Sequence, residues 1–319
     1  MKEAFLTYIL TERKLSPLTV EAYRSDLDQW YEFAAAQAHP LEFDPLRATT
    51  ADLRLWISSL SRNGMSHTSL RRKIQALRAF FKYLVANGKM EQNPALDIPM
   101  PKIPKRLPVY IAPEQTAEML NREDTDARLL NMAQPTGMIA FEALRDALIL
   151  EIFYCCGLRC SELLTLTDGR VDSLRGELKV HGKRNKERIV PFGPDLCKMI
   201  EQYRHLRNSL FLGFTASSSP FFVRADGRPL YRKLIYNIVH RAMQQTPGVN
   251  ARRMSPHVLR HSSATDMLNS GASLSGVQQL LGHQSLTATQ IYTHISFRDL
   301  QQNYQQAHPR AQKSKEVKS

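Results

Sequence analysis

Apolar residues recur at helical spacing over most of the chain. Behind a Ser16-Pro17 start signal, Val20, Tyr23, Leu27, Trp30 and Tyr31 mark one amphipathic helix, and Leu53, Trp56 and Ile57 mark another that opens near Thr50. A third runs from about Ser66 to Ala86, with Gly88 as its stop. At about 100° per residue, Leu70, Ile74, Leu77, Phe81 and Leu84 of this helix form an apolar stripe, while Arg71, Gln75, Arg78 and Lys82 form a second stripe about 110° away. The first stripe predicts packing. The second, with Arg72 beside it, predicts contact with phosphate.

The periodicity stops between Asn93 and Pro113, where six prolines and three basic residues predict an extended linker. This divides the chain into a helical N-terminal domain over 1–100, a basic Pro-rich linker over 101–108, a second domain over 109–308 and a polar tail over 309–319. Beyond the linker, the apolar stretch from about Phe141 to Cys156 predicts a buried helix ended by Gly157. Leu178 and Val180 alternate before a turn at Lys183 to Lys186, and Ile189 and Val190 follow it, which predicts a β-hairpin with a basic tip. The fold class expected is mainly α, in two domains, with one small β-hairpin or sheet.

Composition narrows the function. The 319 residues can bury two cores, and no apolar run reaches the roughly 20 residues of a membrane helix, since Ala147 to Leu158 is interrupted by Glu151. The start, MKEAFLTYIL, lacks the apolar core and cleavage site of a secretory signal, so a cytoplasmic protein is expected. Four cysteines, at 155, 156, 160 and 197, show no CxxC spacing and read as reduced core residues. With 43 Lys and Arg against 30 Asp and Glu, the net charge is +13, which favours a polyanion as partner. Residues 1–108 hold 16 basic and 11 acidic residues and residues 109–319 hold 27 and 19, so both domains share the excess.

Chemistry concentrates between residues 257 and 294, a window holding four of the ten histidines. Ser255 and Pro256 open a helix on which His257, Arg260 and His261 share a face near the positive end of the dipole, with Val258, Leu259, Met267 and Leu268 on the buried side. A short helix from about Leu274 to Leu281 stops at Gly282, leaving His283 just beyond, and a further helix opened by Ser285 carries Tyr292. A tyrosine attacking a phosphodiester needs cations on the non-bridging oxygens, for which Arg260 and Arg159 are the candidates. It also needs a nearby base or a strongly cationic site, because its pKa lies near 10. The leaving oxygen needs a proton donor, which Lys183 on the hairpin tip could supply.

The segments LSPLTVEAYRSDLDQW, RRKIQALRAFFKYL, PKIPKRLP, GLRCSELLTL, HGKRNKERIVPFG, HVLRHSSATDML, VQQLLGHQSLTATQIYTHIS and QQAHPRA follow one another in order. Through them the chain resembles the tyrosine recombinases over nearly its whole length, and most closely the Xer-type site-specific recombinases. The resemblance implies an N-terminal SAM-like core-binding domain and a mainly helical catalytic domain that form a clamp around duplex DNA. It implies Arg159 and Arg260 on the scissile phosphate, and Tyr292 as the nucleophile that forms a 3′-phosphotyrosyl link. Lys183 would be the general acid, His257 would act in proton transfer and His283 would bond a phosphate oxygen. Contacts to DNA would also come from Arg184 and Lys186. The tip reads Gly182-Lys183-Arg184 where the family often has a second glycine, so Lys186 stays open as the alternative to Lys183.

No metal or other cofactor is implied. The partners implied are duplex DNA at a specific site, a homo- or hetero-tetrameric synapse and an activating protein. The segment FRDLQQNYQQAHPRA resembles the family's C-terminal helix, which docks on a neighbouring protomer. Residues 121–142 read as an insertion relative to shorter members. Chromosome or plasmid dimer resolution is the expected task, with integration of a mobile element as the alternative. A type IB topoisomerase-like enzyme, a catalytically silent DNA-binding protein and a metal hydrolase on His257, His261 and His283 are the rival readings. The absence of HExxH weighs against the last of these.

Overall fold

The computed structural model describes residues 1–37, 43–102, 110–120, 137–182, 187–214, 216–249 and 254–282. The chain divides into two compact units, Met1–Arg106 and Leu107–Ser319.

The first unit contains α1 (Lys2–Thr11), α2 (Pro17–Gln37), α3 (Thr50–Arg62) and α4 (His67–Ala86). Their starts follow from local chemistry: Thr49 and Asp52 form a capping box for α3, and Ser66 caps α4 by accepting from the Ser69 N–H at 3.2 Å. The predicted stripe of α4, Leu70, Ile74, Leu77, Phe81 and Leu84, is buried against Phe5, Leu27, Trp30, Leu53 and Trp56. Lys73 interrupts this apolar face, and its ammonium is satisfied inside it. It donates to Asp26 at 2.8 Å and to Gln29 at 2.7 Å, and lies 5.5 Å from the Trp56 ring centre.

The second unit is built around α6 (Gly137–Cys155), which packs against α8 (Pro194–Leu210) and α10 (Pro256–Asn269). Among the described residues the remaining α-helices of this unit are α5 (Pro113–Leu120), α7 (Cys160–Leu164), α9 (Arg232–Gln245) and α11 (Leu274–Leu281). Phe141 on the first turns of α6 is fully buried and stacks on Tyr203 of α8. From Gly137 onward the segment read as an insertion is therefore part of the central helix, and residues 121–136 lie outside the described residues. Among the described residues no helix is long and apolar enough to cross a membrane.

The hairpin is present as β2 (Glu177–His181) and β3 (Glu187–Pro191), with Leu178 opposite Val190 and His181 opposite Glu187. A short third strand, β1 (Val171–Asp172), extends the antiparallel sheet on the β2 side. Two residues are too few to show a period, which is why the pattern missed it. Leu178, Val180 and Val190 are buried, and β3 lies against α11. The cysteines at 155, 156 and 160 are buried thiols, that of Cys155 donating to the Glu151 carboxylate at 3.3 Å, and Cys197 is half-buried.

On α10 the expected inward face needs one correction. Val258, Leu259 and Met267 are buried, whereas Leu268 is 39% exposed. The inward place in that turn belongs to Asp266, whose carboxylate accepts from Tyr110 at 2.7 Å and Tyr154 at 2.8 Å. Burial pushes this carboxyl above its ordinary range, and the two phenols work against that rise.

Candidate active site

Three arginines from three elements meet the C-terminal end of α11. Arg188 of β3 donates from Nε to the Leu280 carbonyl at 2.8 Å, Arg260 of α10 donates from Nη2 to the Leu281 carbonyl, and Arg159 donates from Nη2 to the Gly282 carbonyl at 2.8 Å. A helix leaves its last carbonyls without intrahelical donors and carries the negative end of its dipole there, so cations are favoured at this spot. The turn depends on Gly282, which caps α11 in the left-handed region at φ 62° and ψ 47°. A Cβ there would stand 3.2 Å from Arg188 Cδ.

Gly157 ends the approach to the site from α6. Its φ is +56°, a Cβ on it would fall 2.4 Å from Leu281 Cδ2, and its carbonyl accepts a second bond from Arg260 Nη1. Arg260 is thus only 6% exposed, with neutral carbonyls on two of its nitrogens. Burial, followed by the adjacent charge of Arg159, pushes its pKa down to about 9. Because a guanidinium keeps its charge, this drop expresses the cost of holding a cation out of water, a cost that a bound anion relieves.

Arg159 precedes α7 and is fixed from both ends by Glu162. The Glu162 carboxylate accepts from the Arg159 backbone N–H at 2.7 Å and from Arg159 Nη1 at 2.7 Å. Arg188 donates to the same carboxylate through Nη1 at 2.7 Å and Nη2 at 2.9 Å. Burial alone would raise Glu162, but the paired Arg188 and then Arg159 hold it below the usual carboxylate range.

The two recognised arginines, Arg159 and Arg260, are therefore brought together. Glu162 and Arg188 complete the cluster and were not singled out by the sequence. The available signals were the i, i+3 spacing of Arg159 and Glu162 at a helix start and the basic residue in KERIVP.

His257 lies in the first turn of α10 on its exposed side, whereas Arg260 points inward. Burial lowers the His257 pKa, and the charges of Arg260, Arg159 and Arg232 lower it further. These effects favour the neutral imidazole, the form that accepts a proton. His261, on the same helix, is half-buried. Lys183, Arg184, Lys186, His283 and Tyr292 lie outside the described residues.

The basic stripe of α4 divides in two. Arg78 donates to the carbonyls of Ala95 at 3.1 Å, Leu96 at 2.9 Å and Ile98 at 2.8 Å, and Arg71 donates to that of Pro101 at 3.0 Å. Arg72 pairs with Asp26 and also bonds the Ala22 carbonyl at 3.0 Å. Gln75 and Lys82 are exposed. The chain after α4 returns along this face, and its non-helical carbonyls take the arginines as donors.

Sequence relatives agree with this architecture. Residues 3–88 match the phage integrase N-terminal SAM-like domain, and residues 121–299 match the phage integrase family. The chain is 37% identical over 318 residues to the tyrosine recombinase XerC of Chlorobaculum parvum, covering 97% of this chain and 94% of that one. It belongs to the phage integrase family. Another member of this family, the tyrosine recombinase XerD of Yersinia pestis, is 38% identical over 311 residues, covering 97% of both chains.

Within the phage integrase family the chain is thus of the Xer tyrosine-recombinase type. The XerH site-specific recombinase bound to difH substrate superposes with a TM-score of 0.65 at 21% identity, over 95% of this chain and 83% of that one. That match shows a common fold, mainly helical with a small sheet. It is the fold the ordered motifs implied.

Proposed function

We propose that this Xer-type tyrosine recombinase cuts and rejoins duplex DNA at a specific site with Tyr292 as its nucleophile, and that its task is the resolution of chromosome or plasmid dimers. The observation that carries the chemistry is the cation pair at the end of α11. Arg260 is buried against carbonyls with Arg159 at the neighbouring carbonyl, and a phosphodiester supplies the missing negative charge.

In the proposed reaction the Tyr292 oxygen bonds to phosphorus and the bond from phosphorus to the 5′ oxygen breaks. Neutral His257 takes part in moving the tyrosine proton, and Lys183, or alternatively Lys186, protonates the departing 5′ oxygen. His283 follows Gly282 directly in the chain, and its proposed role is a hydrogen bond to a phosphate oxygen. Attack by the 5′ hydroxyl of a partner strand on the phosphotyrosyl link restores a phosphodiester and frees the tyrosine. One phosphoester replaces another at each step, so the scheme needs no nucleoside triphosphate to drive it.

Exposed Gln75 and Lys82, with Arg184 and Lys186 on the hairpin, are the proposed duplex contacts, while Arg71, Arg72 and Arg78 chiefly brace the first unit. Strand exchange would take place in a tetrameric synapse in the cytoplasm, with a second recombinase and an activating protein as further partners. Integration of a mobile element is the competing task.

The test is a nicked duplex that traps the covalent intermediate, followed by a denaturing gel and peptide mapping. The adduct is expected at Tyr292. Tyr292→Phe should bind duplex as well as the parent chain and form no adduct, and an adduct persisting in that variant would place the nucleophile elsewhere.

A further inference from the structure

Glu162 poses an electrostatic problem for a phosphate clamp. It is 4% exposed and contacts Arg159 twice, and a carboxylate so close would cancel the charge with which Arg159 attracts an anion. Arg188 occupies both oxygens of the same carboxylate, at 2.7 and 2.9 Å. The cluster of Arg159, Arg188, Arg260 and Glu162 then carries three cations against one anion, a net charge of +2 around the end of α11.

We infer that Arg188 is a positioning residue for strand cleavage: it neutralises Glu162, so that the carboxylate can hold Arg159 in place without consuming its charge. This rests on the proposed phosphate-clamping role of Arg159. The arrangement separates two tasks that a simple ion pair would confuse. Glu162 supplies geometry through the Arg159 backbone N–H and Nη1, and Arg188 supplies the compensating charge from a different element, β3. With a side chain only 12% exposed, Arg188 is poorly screened by salt, which makes its charge effective at this range.

A structural role alone is the competing account, since Arg188 also ties β3 to α11 through the Leu280 carbonyl. Substitutions separate the two. The probe is a nicked duplex selected from random sequence by binding to the parent chain, and the readout is the rate of covalent adduct formation at saturating DNA, with duplex affinity measured in parallel. Arg188→Gln should slow adduct formation by about 10- to 100-fold with little change in affinity, because most duplex contacts lie elsewhere. Adding Glu162→Gln to that variant should restore at least about fivefold of the rate, since no buried negative charge then opposes Arg159.

Equal defects in the single and double variants, both folded, would overturn the inference in favour of a purely structural bond. An Arg188→Gln rate equal to the parent's would overturn it as well. Should Arg188→Gln fail to fold, Arg188→Lys decides the matter. It keeps the charge and loses the fork, so a rate within about threefold of the parent supports charge neutralisation and a loss beyond tenfold refutes it. Failure of the parent chain to form any adduct would instead count against the proposed recombinase chemistry, which keeps the two failures apart.

Discussion

His257 shows how neighbours set the working state of a single residue. Partial burial lowers its pKa first, and Arg260, Arg159 and Arg232 lower it further by opposing a second positive charge. If the neutral ring accepts the tyrosine proton, cleavage is lost as pH falls through the His257 pKa, so the acid limb of the pH profile lies below the ordinary histidine value of about 6.5. Arg232 is exposed and outside the arginine cluster, and removing its charge should move that limb upward. A pH series of adduct formation with Arg232→Gln checks this, and an unshifted limb would separate Arg232 from the titration of His257. Arg260 follows the same logic with the opposite remedy: its depressed pKa reflects burial and then the charge of Arg159, which Glu162 only partly offsets, and a bound phosphate would supply further negative charge.

At the level of elements, α4 carries two kinds of basic residue that helical periodicity cannot tell apart. Arg78 reaches three carbonyls of the segment that returns along the helix, and Lys82, one turn on, is exposed. Arg78→Ala should therefore lower the stability of the first unit by about 1–3 kcal/mol, as partly buried carbonyls lose their donors. Lys82→Ala should leave thermal melting unchanged, weaken duplex binding and flatten its salt dependence. Melting curves and binding isotherms at several salt concentrations distinguish the two, and a salt slope unaffected by Lys82→Ala would make that side chain merely solvated. The end of α11 is the element on which the site is assembled. Its last carbonyls receive Arg188, Arg260 and Arg159, and Gly282 supplies the left-handed residue that turns the chain directly before His283.

For the whole molecule, each unit owns a hydrophobic core, one centred on Trp30, Phe80 and Phe81 and the other on α6. A fragment ending at Arg106 retains every member of the first core as well as the carbonyls that satisfy Arg78 and Arg71. It should unfold as a single cooperative transition by circular dichroism, and a gradual, non-cooperative melt would mean that the first unit depends on the second.

The sequence by itself determined the helices with strong apolar stripes, their capped starts and glycine stops, the basic hairpin and the order of motifs that places the chain among the tyrosine recombinases. These features are local: periodicity, capping and turn chemistry act over a few residues. Which arginines of α4 brace the chain and which side chains remain exposed was decided only by the tertiary structure, because the carbonyls that engage Arg78 lie 17 to 20 residues away. The same holds more strongly for the site. Arg159 and the Gly282 carbonyl are 123 residues apart, and Arg188 and Leu280 are 92 apart. No helical or strand period relates positions at such separations. Glu162 and Arg188 acquire their meaning only when packing buries one carboxylate between two guanidinium groups.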